Sequence, residues 1–170
     1  MFKKLFGKKT EESVPVNKEI VLFAPMNGSV VALEDVPDPV FAEKMMGDGL
    51  AIEPGEDTVY SPVDGEIVQV FPTKHAVGIK ALNGAEILIH IGLETVGLNG
   101  EGFEAFVSAG DKVKMGDKLI SFNQTIIKEK AKSTIIPIII TNSDDVESIV
   151  KTTETSLTRG ETQFFKVTIK

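Results

Sequence analysis

From Glu19 to its end the chain is a succession of short apolar runs separated by turn-forming residues. Runs rich in Val and Ile fall at residues 20–24, 28–33, 50–52, 65–70, 77–80, 87–91, 118–122, 135–141 and 164–169, with Pro, Gly, Asn or Asp between them. Branched side chains fit the pleated, half-buried surface of a strand. Short runs at this spacing predict an all-β fold, an antiparallel β-sandwich or barrel-sandwich hybrid. Three segments read as short helices: 39–46, 125–132 and 144–150, the last with Asp144 as its N-cap. Helix is the minority element.

The pattern also repeats. Ala24-Pro-Met-Asn-Gly-Ser-Val-Val31 and Ser61-Pro-Val-Asp-Gly-Glu-Ile-Val68 match at Pro25/Pro62, Gly28/Gly65 and Val31/Val68, an offset of 37 residues. The same offset sets 47–52 against 84–89, which predicts a duplicated turn-plus-strand motif within the sandwich. Residues 110–119 resemble the hairpin of biotinyl and lipoyl carrier domains. They lack the Met-Lys-Met or Asp-Lys-Ala setting of a modifiable lysine, so we read a structural turn. Gly110 and Gly116 supply its geometry, and Val113 and Leu119 fill the core.

Composition narrows the class. With 170 residues, 42% hydrophobic and 25% charged, the chain fits one globular domain. It has no cysteine, which excludes disulfides and thiolate metal sites. A net charge of −7 argues against non-specific nucleic-acid binding and favours basic protein partners. The one basic segment is residues 1–9, far too short to span a bilayer and without a signal-peptide core. If helical, it would put Phe2, Leu5 and Phe6 on one face among lysines. That face suits weak contact with an anionic membrane surface; the alternative is a solubilising arm. Residues 10–18 are polar and include Pro15. We therefore divide the chain into an arm and linker, 1–18, and a β-sandwich domain, 19–170.

Candidate chemistry rests on the only two histidines, His75 and His90. Alternation along 86–91 turns Ile87, Ile89 and Ile91 to one face and Leu88 and His90 to the other. Thr73 shares strand parity with His75, so its hydroxyl can fix that ring's tautomer. Phe41, Met45 and Met46 can line the same face, with Asp38 and Glu94 at its rim. The expected site is a shallow apolar depression with two imidazoles at its floor. A lone strand histidine is more often a satisfied packing residue; histidine is also a nucleophile able to form a covalent intermediate.

The stretch Gly84-x-x-Ile-Leu-Ile-His90-Ile-Gly-Leu-x-Thr95-Val resembles the active-site signature of the glucose-class enzyme IIA of the bacterial sugar phosphotransferase system. Glu34-Asp-Val-Pro-Asp-Pro-Val-Phe-Ala-Glu-Lys44, Gly47-Asp-Gly49, Pro62-Val-Asp-Gly65, Phe71-x-Thr-x-His75-Ala, Gly100-Glu-Gly-Phe103 and Lys130-Ala-Lys-Ser-Thr134 are similar to that family in the same order. The resemblance implies a cytoplasmic, monomeric phosphocarrier, able to sit at the inner face of the membrane. His90 would take a phosphoryl group from the carrier protein HPr and pass it to a cysteine on the IIB domain of a sugar permease, glucose by default. His75 would steady the phosphoryl oxygens, with Thr73 orienting its ring. Val40, Phe41, Met45, Met46, Phe71, Leu88 and Val96 would form an apolar docking surface, and Asp38 and Glu94 would meet partner arginines. The chain carries Glu94 where some members have Asp, and Leu88 and Gly78 where some have aromatics.

Phosphoryl transfer asks for positioning and charge stabilisation more than covalent work, which a nucleophilic imidazole beside a second one can supply. Two rival readings stand beside it. A zinc hydrolase needs three protein ligands and an open position, and two histidines without a His-x-His pair fall short. No resident metal or other cofactor is expected, although the pair leaves room for a zinc ion completed by a partner. A binding or regulatory module is the other: a phosphate on an apolar patch changes which permeases or enzymes dock there.

Overall fold

The computed structural model describes residues 18–170. The basic segment 1–9, with its Phe2, Leu5 and Phe6 face, and nearly all of the linker lie outside the described residues. The strands run β1 Glu19–Phe23, β2 Gly28–Ala32, β3 Asp48–Pro54, β4 Thr58–Tyr60, β5 Gly65–Val70, β6 Ala76–Ala81, β7 Glu86–His90, β8 Phe103–Ala105, β9 Lys112–Val113, β10 Lys118–Phe122, β11 Ile136–Ile140, β12 Val146–Lys151, β13 Ser156–Leu157 and β14 Gln163–Ile169. Two short helices, α1 Pro39–Ala42 and α2 Gln124–Lys130, complete the set with three 3-10 turns. An eight-stranded sheet has the order β13-β2-β3-β11-β7-β6-β5-β9, and two three-stranded sheets are β1-β14-β12 and β4-β10-β8. Every pairing is antiparallel.

Strand parity divides the buried residues of the large sheet between two cores. Ile52, Val77, Ile79, Ile87, Ile89, Ile138 and Ile140 face inward, against Leu22, Phe164, Phe165, Leu119 and Ile120 of the small sheets. Their neighbours Ala51, Ala76, Leu88 and Ile139 point the other way, into a second cluster with Leu33, Val36, Phe41 and Leu93. Central strand β11 is buried along its whole length, so its run of isoleucines serves both cores. The face carrying Leu88 is thus roofed by the segment around α1 rather than open to water.

The repeat is a physical duplication. Gly28 opens β2 opposite Leu157 of β13, and Gly65 opens β5 opposite Val113 of β9. Asn27 Oδ1 accepts from the Arg159 amide at 2.8 Å, and Asp64 Oδ1 accepts from the Met115 amide at 2.8 Å. Gly160 donates to Ala24 O at 3.0 Å, and Gly116 donates to Ser61 O at 2.9 Å. Both glycines are left-handed, at φ 74° and 96°. A Cβ on Gly28 or Gly65 would strike the carbonyl of Glu53 or Lys80 across the ladder. The copies continue in register to β3 and β7, which flank β11 on either side. They differ in what fills the interval between matched strands: residues 33–47 hold α1, and residues 70–84 hold β6.

Three sequence expectations change. Residues 144–150 form no helix: a 3-10 turn at Ser143–Asp145 leads straight into β12, and Asp144 caps nothing. The ladder slips between Val146 and Ser148, so Val146 and Ile149 reach the core from the same side. That bulge spaces apolar residues as a helix would. The predicted helix at 39–46 stops after Ala42, because the chain turns through left-handed Lys44. The third, at 125–132, begins and ends earlier, capped by Asn123, whose Oδ1 accepts from Ile126 N.

Candidate functional site

The two histidines sit at the end of the large sheet where β6 begins and β7 ends. Ala76 pairs with His90, and the Ile91 amide donates to His75 O at 2.7 Å, so the ladder itself sets the rings side by side. Their centroids are 4.9 Å apart at an interplanar angle of 79°. Each is backed by a phenyl ring: Phe41 lies 5.0 Å from His90, and Phe71 lies 5.4 Å from His75. His75 is 4% exposed, whereas His90 is half-buried and reachable from solvent.

One nitrogen of each ring is committed. His90 Nδ1 lies 2.8 Å from the carbonyl oxygen of Gly92. A carbonyl can only accept, so Nδ1 carries the proton and Nε2 is left with a free lone pair. His75 Nδ1 bonds the Thr73 hydroxyl at 2.5 Å. Burial, reinforced by the charge of His90, pushes the His75 pKa down to about 4, so its ring is neutral at pH 7. Burial also lowers the His90 pKa, while the Gly92 bond and the charge of Asp38 pull it back up. Both rings are therefore poised as uncharged imidazoles.

The loop below His90 is held firmly. Gly92 is left-handed, and a Cβ there would lie 2.6 Å from Thr95 Cγ2. Thr95, fully buried, donates its hydroxyl to Ile91 O at 2.7 Å. The Leu93 amide donates to Ser133 O at 2.9 Å, tying the loop to the segment after α2. The four non-glycine residues in the left-handed region, among those described, are Lys44, Lys74, Glu94 and Asn99. Of these, Lys74 directly precedes His75 and Glu94 lies in the loop that follows His90, positions where backbone strain is commonly held by surrounding packing.

The predicted docking residues divide by burial. Val40, Met45, Met46 and Val96 are exposed, four of the nine large apolar side chains that are so among the described residues. Phe41 and Leu88, at 4% and 6% exposure, lie beneath that surface and support it rather than present area to a partner. Phe71 is partly buried against the same cluster. Asp38 caps α1, accepting from the Val40 amide at 3.0 Å, and Glu94 is exposed at the start of the 3-10 turn Thr95–Leu98. Gly92 and Thr95 stand in the motif around His90, and the sequence pattern by itself assigns them no role. The signal was present as Gly-x-x-Thr; a carbonyl's part is invisible in a residue's name. Among the described residues no group of three or more His, Asp or Glu could hold a metal ion, and no helix is long and apolar enough to cross a membrane.

A half-exposed imidazole with one free nitrogen faces a buried neutral imidazole within an exposed apolar surround, an arrangement open to nucleophilic chemistry. Comparison with known proteins gives the family. Residues 20–146 match the family model described as phosphoenolpyruvate-dependent sugar phosphotransferase system, EIIA 1. The chain belongs to this family. It is 61% identical, over all 170 residues and the whole of the relative, to the glucose-specific EIIA component of Bacillus cereus. It is 56% identical to the protein of the same description from Halalkalibacterium halodurans, covering all of this chain and 98% of that one. The solved glucose permease IIA from Mycoplasma capricolum superposes with a TM-score of 0.81 at 38% identity, over 91% of this chain and 99% of that one. Family membership brings phosphotransferase activity in general.

Proposed function

We propose that this protein is a phosphocarrier that takes a phosphoryl group from phospho-HPr on His90 Nε2 and passes it to the cysteine of a permease IIB domain, with glucose the sugar served. The observation that carries the reading is the His90 Nδ1 to Gly92 O bond beside His75. In the first step the Nε2 lone pair attacks phosphorus in line, forming an N–P bond as the donor's N–P bond breaks. The donor leaves as a neutral imidazole. Because Nδ1 keeps its proton, the phosphorylated ring is cationic, and it too leaves as neutral imidazole when a thiolate takes the phosphorus.

His75 supplies charge stabilisation. With Thr73 donating to its Nδ1, the His75 proton sits on Nε2, where it can be given to a phosphoryl oxygen as a hydrogen bond. The incoming dianion raises the His75 pKa from its low resting value and strengthens that bond. Val40, Met45, Met46 and Val96 form a surface that excludes water and releases each partner in turn, with Asp38 and Glu94 turned to basic residues. A monomer in the cytoplasm fits this exchange. Two ring nitrogens hold zinc only where a partner completes the ligand set.

Incubation with phospho-HPr and mass mapping test the proposal. The phosphate is expected on His90, with none taken up by His90→Ala. His75→Ala is expected to accept phosphate and fail to pass it on. Transfer that persists in His90→Ala would overturn the assignment.

A further inference from the structure

The sequence holds three Asn-Gly pairs, at 27–28, 83–84 and 99–100. In such a pair the glycine nitrogen, with no side chain crowding it, can attack the asparagine's own amide carbon. Two of the pairs are locked against this. Asn83 is 7% exposed, its Nδ2 donates to Lys18 O and Val167 O, and its Oδ1 accepts from Ala85 N. The Gly84 nitrogen is spent on Ala81 O. Asn27 Oδ1 accepts from Arg159 N, the Asn27 main-chain amide donates to Glu56 at 2.7 Å, and Gly28 is fixed in β2 between β13 and β3. Asn99 differs on each count. It is exposed, and among the described residues neither its side chain nor the Gly100 nitrogen makes a hydrogen bond. Asn99 and Gly100 form the middle of a turn with φ 53° and 90°, the type I′ pattern, spanned by the Glu101 amide bonded to Leu98 O at 3.0 Å. Swinging the Gly100 nitrogen onto Asn99 Cγ takes a local opening of this turn.

We propose that Asn99 is a site of deamidation, and that the product disturbs the support of His75. The Gly100 nitrogen bonds to Asn99 Cγ, and its proton and the side-chain nitrogen leave together as ammonia. Water then opens the cyclic imide at either carbonyl, giving aspartate or isoaspartate, with no oxidant, reductant or other reactant consumed. Aspartate adds a carboxylate but keeps the turn, because Asp also tolerates the left-handed region. Isoaspartate routes the main chain through the side chain and so inserts an extra carbon into the turn. The neighbour of that turn is the loop leading to His75. A Cβ on Gly100 would lie 3.7 Å from Thr73 O, and the Thr73 hydroxyl holds His75 Nδ1. The chemistry at Asn99 is independent of the phosphocarrier reading; its effect on transfer rests on that reading.

The full-length chain is held at mildly alkaline pH, folded and in urea, and its three Asn-Gly pairs are mapped by peptide mass and by isoaspartyl methyltransferase labelling. In the folded protein Asn99 is expected to convert about ten-fold or more faster than Asn27 or Asn83, whereas in urea the three convert at similar rates. Asn99→Gln, whose longer side chain closes a ring far less readily, should lose the label. A folded chain in which Asn99 stays intact, or converts no faster than Asn27 and Asn83, overturns the proposal. Phosphate is then passed from phospho-HPr to His90 and on to a IIB domain. Onward transfer is expected to fall roughly ten-fold in the isoaspartyl form and to stay within about two-fold in Asn99→Asp. Equal onward transfer by modified and unmodified chains overturns the link to His75. No label on His90 of the fresh wild type would sink the phosphocarrier reading and leave the deamidation result standing.

Discussion

His75 is held neutral, and that has a cost in acid. Its ring titrates near the ordinary value of ~6.5 when unfolded and at about 4 when folded. Below pH 6.5 the unfolded chain binds the extra proton and the folded one does not, so stability is complete above that pH and falls as pH drops toward 4. At pH 5 the loss from this group is about 2 kcal/mol. Replacing His75 by Gln should remove that share. Urea unfolding at pH 7.5 and pH 5 is expected to show a smaller decline for His75→Gln than for the wild type. Equal declines would mean that the buried ring titrates normally. Asp48 offers the contrast among residues: burial pushes its carboxyl up, yet Lys151, the Gly49 amide and Lys44 together hold it below its usual value. Its bond to Lys151 is 2.7 Å long and joins β3 to β12.

The two turn motifs at opposite ends of the large sheet are equivalent devices, and they should behave so. Asn27 and Asp64 each accept one amide hydrogen bond from the flanking strand's turn. Truncating either to Ala should cost about 1 kcal/mol, and the double variant should lose the sum within ~0.5 kcal/mol. Chemical denaturation of the three variants checks this; a cost at only one end would show the copies to have diverged in strength. The repeat was legible because Pro, Gly and Asn or Asp recur at fixed spacing for turn geometry alone. The long strands were legible for the same reason, in Val and Ile runs. The short strands β4, β8, β9 and β13 were not, since two or three residues give no period. β12 misled outright, because its bulge puts Val146 and Ile149 on one side. The burial of Leu88 was hidden too: alternation tells which face a residue takes, but not that the α1 segment carrying Phe41 packs over it.

At the scale of the molecule, the site lies where the two copies stop resembling each other. The interval 33–47 of the first contributes Asp38, Phe41 and Met46, while the interval 70–84 of the second contributes Phe71, Thr73 and His75. Duplication built a stable sheet, and the unequal intervals laid a cap from one half over a hairpin from the other. The chain's acidity acts at the same scale. With a net charge of −7 and carboxylates at the rim, encounter with a basic donor should be steered electrostatically. Raising salt from about 20 to 300 mM should lower kcat/KM for phospho-HPr by roughly ten-fold, less steeply for Glu94→Gln. A flat salt response would mean that docking relies on apolar contact alone.

The atom that leaves Nε2 of His90 as the free nitrogen belongs to the main chain. Side-chain exchange cannot delete the Gly92 oxygen, and the crowding around that glycine keeps its peptide where it is. Exchanging the exposed apolar side chains Val40, Met45, Met46 and Val96 therefore leaves unchanged which end of the ring keeps its lone pair. The surface around the imidazole is set by side chains, while the orientation of the imidazole is set by the fold.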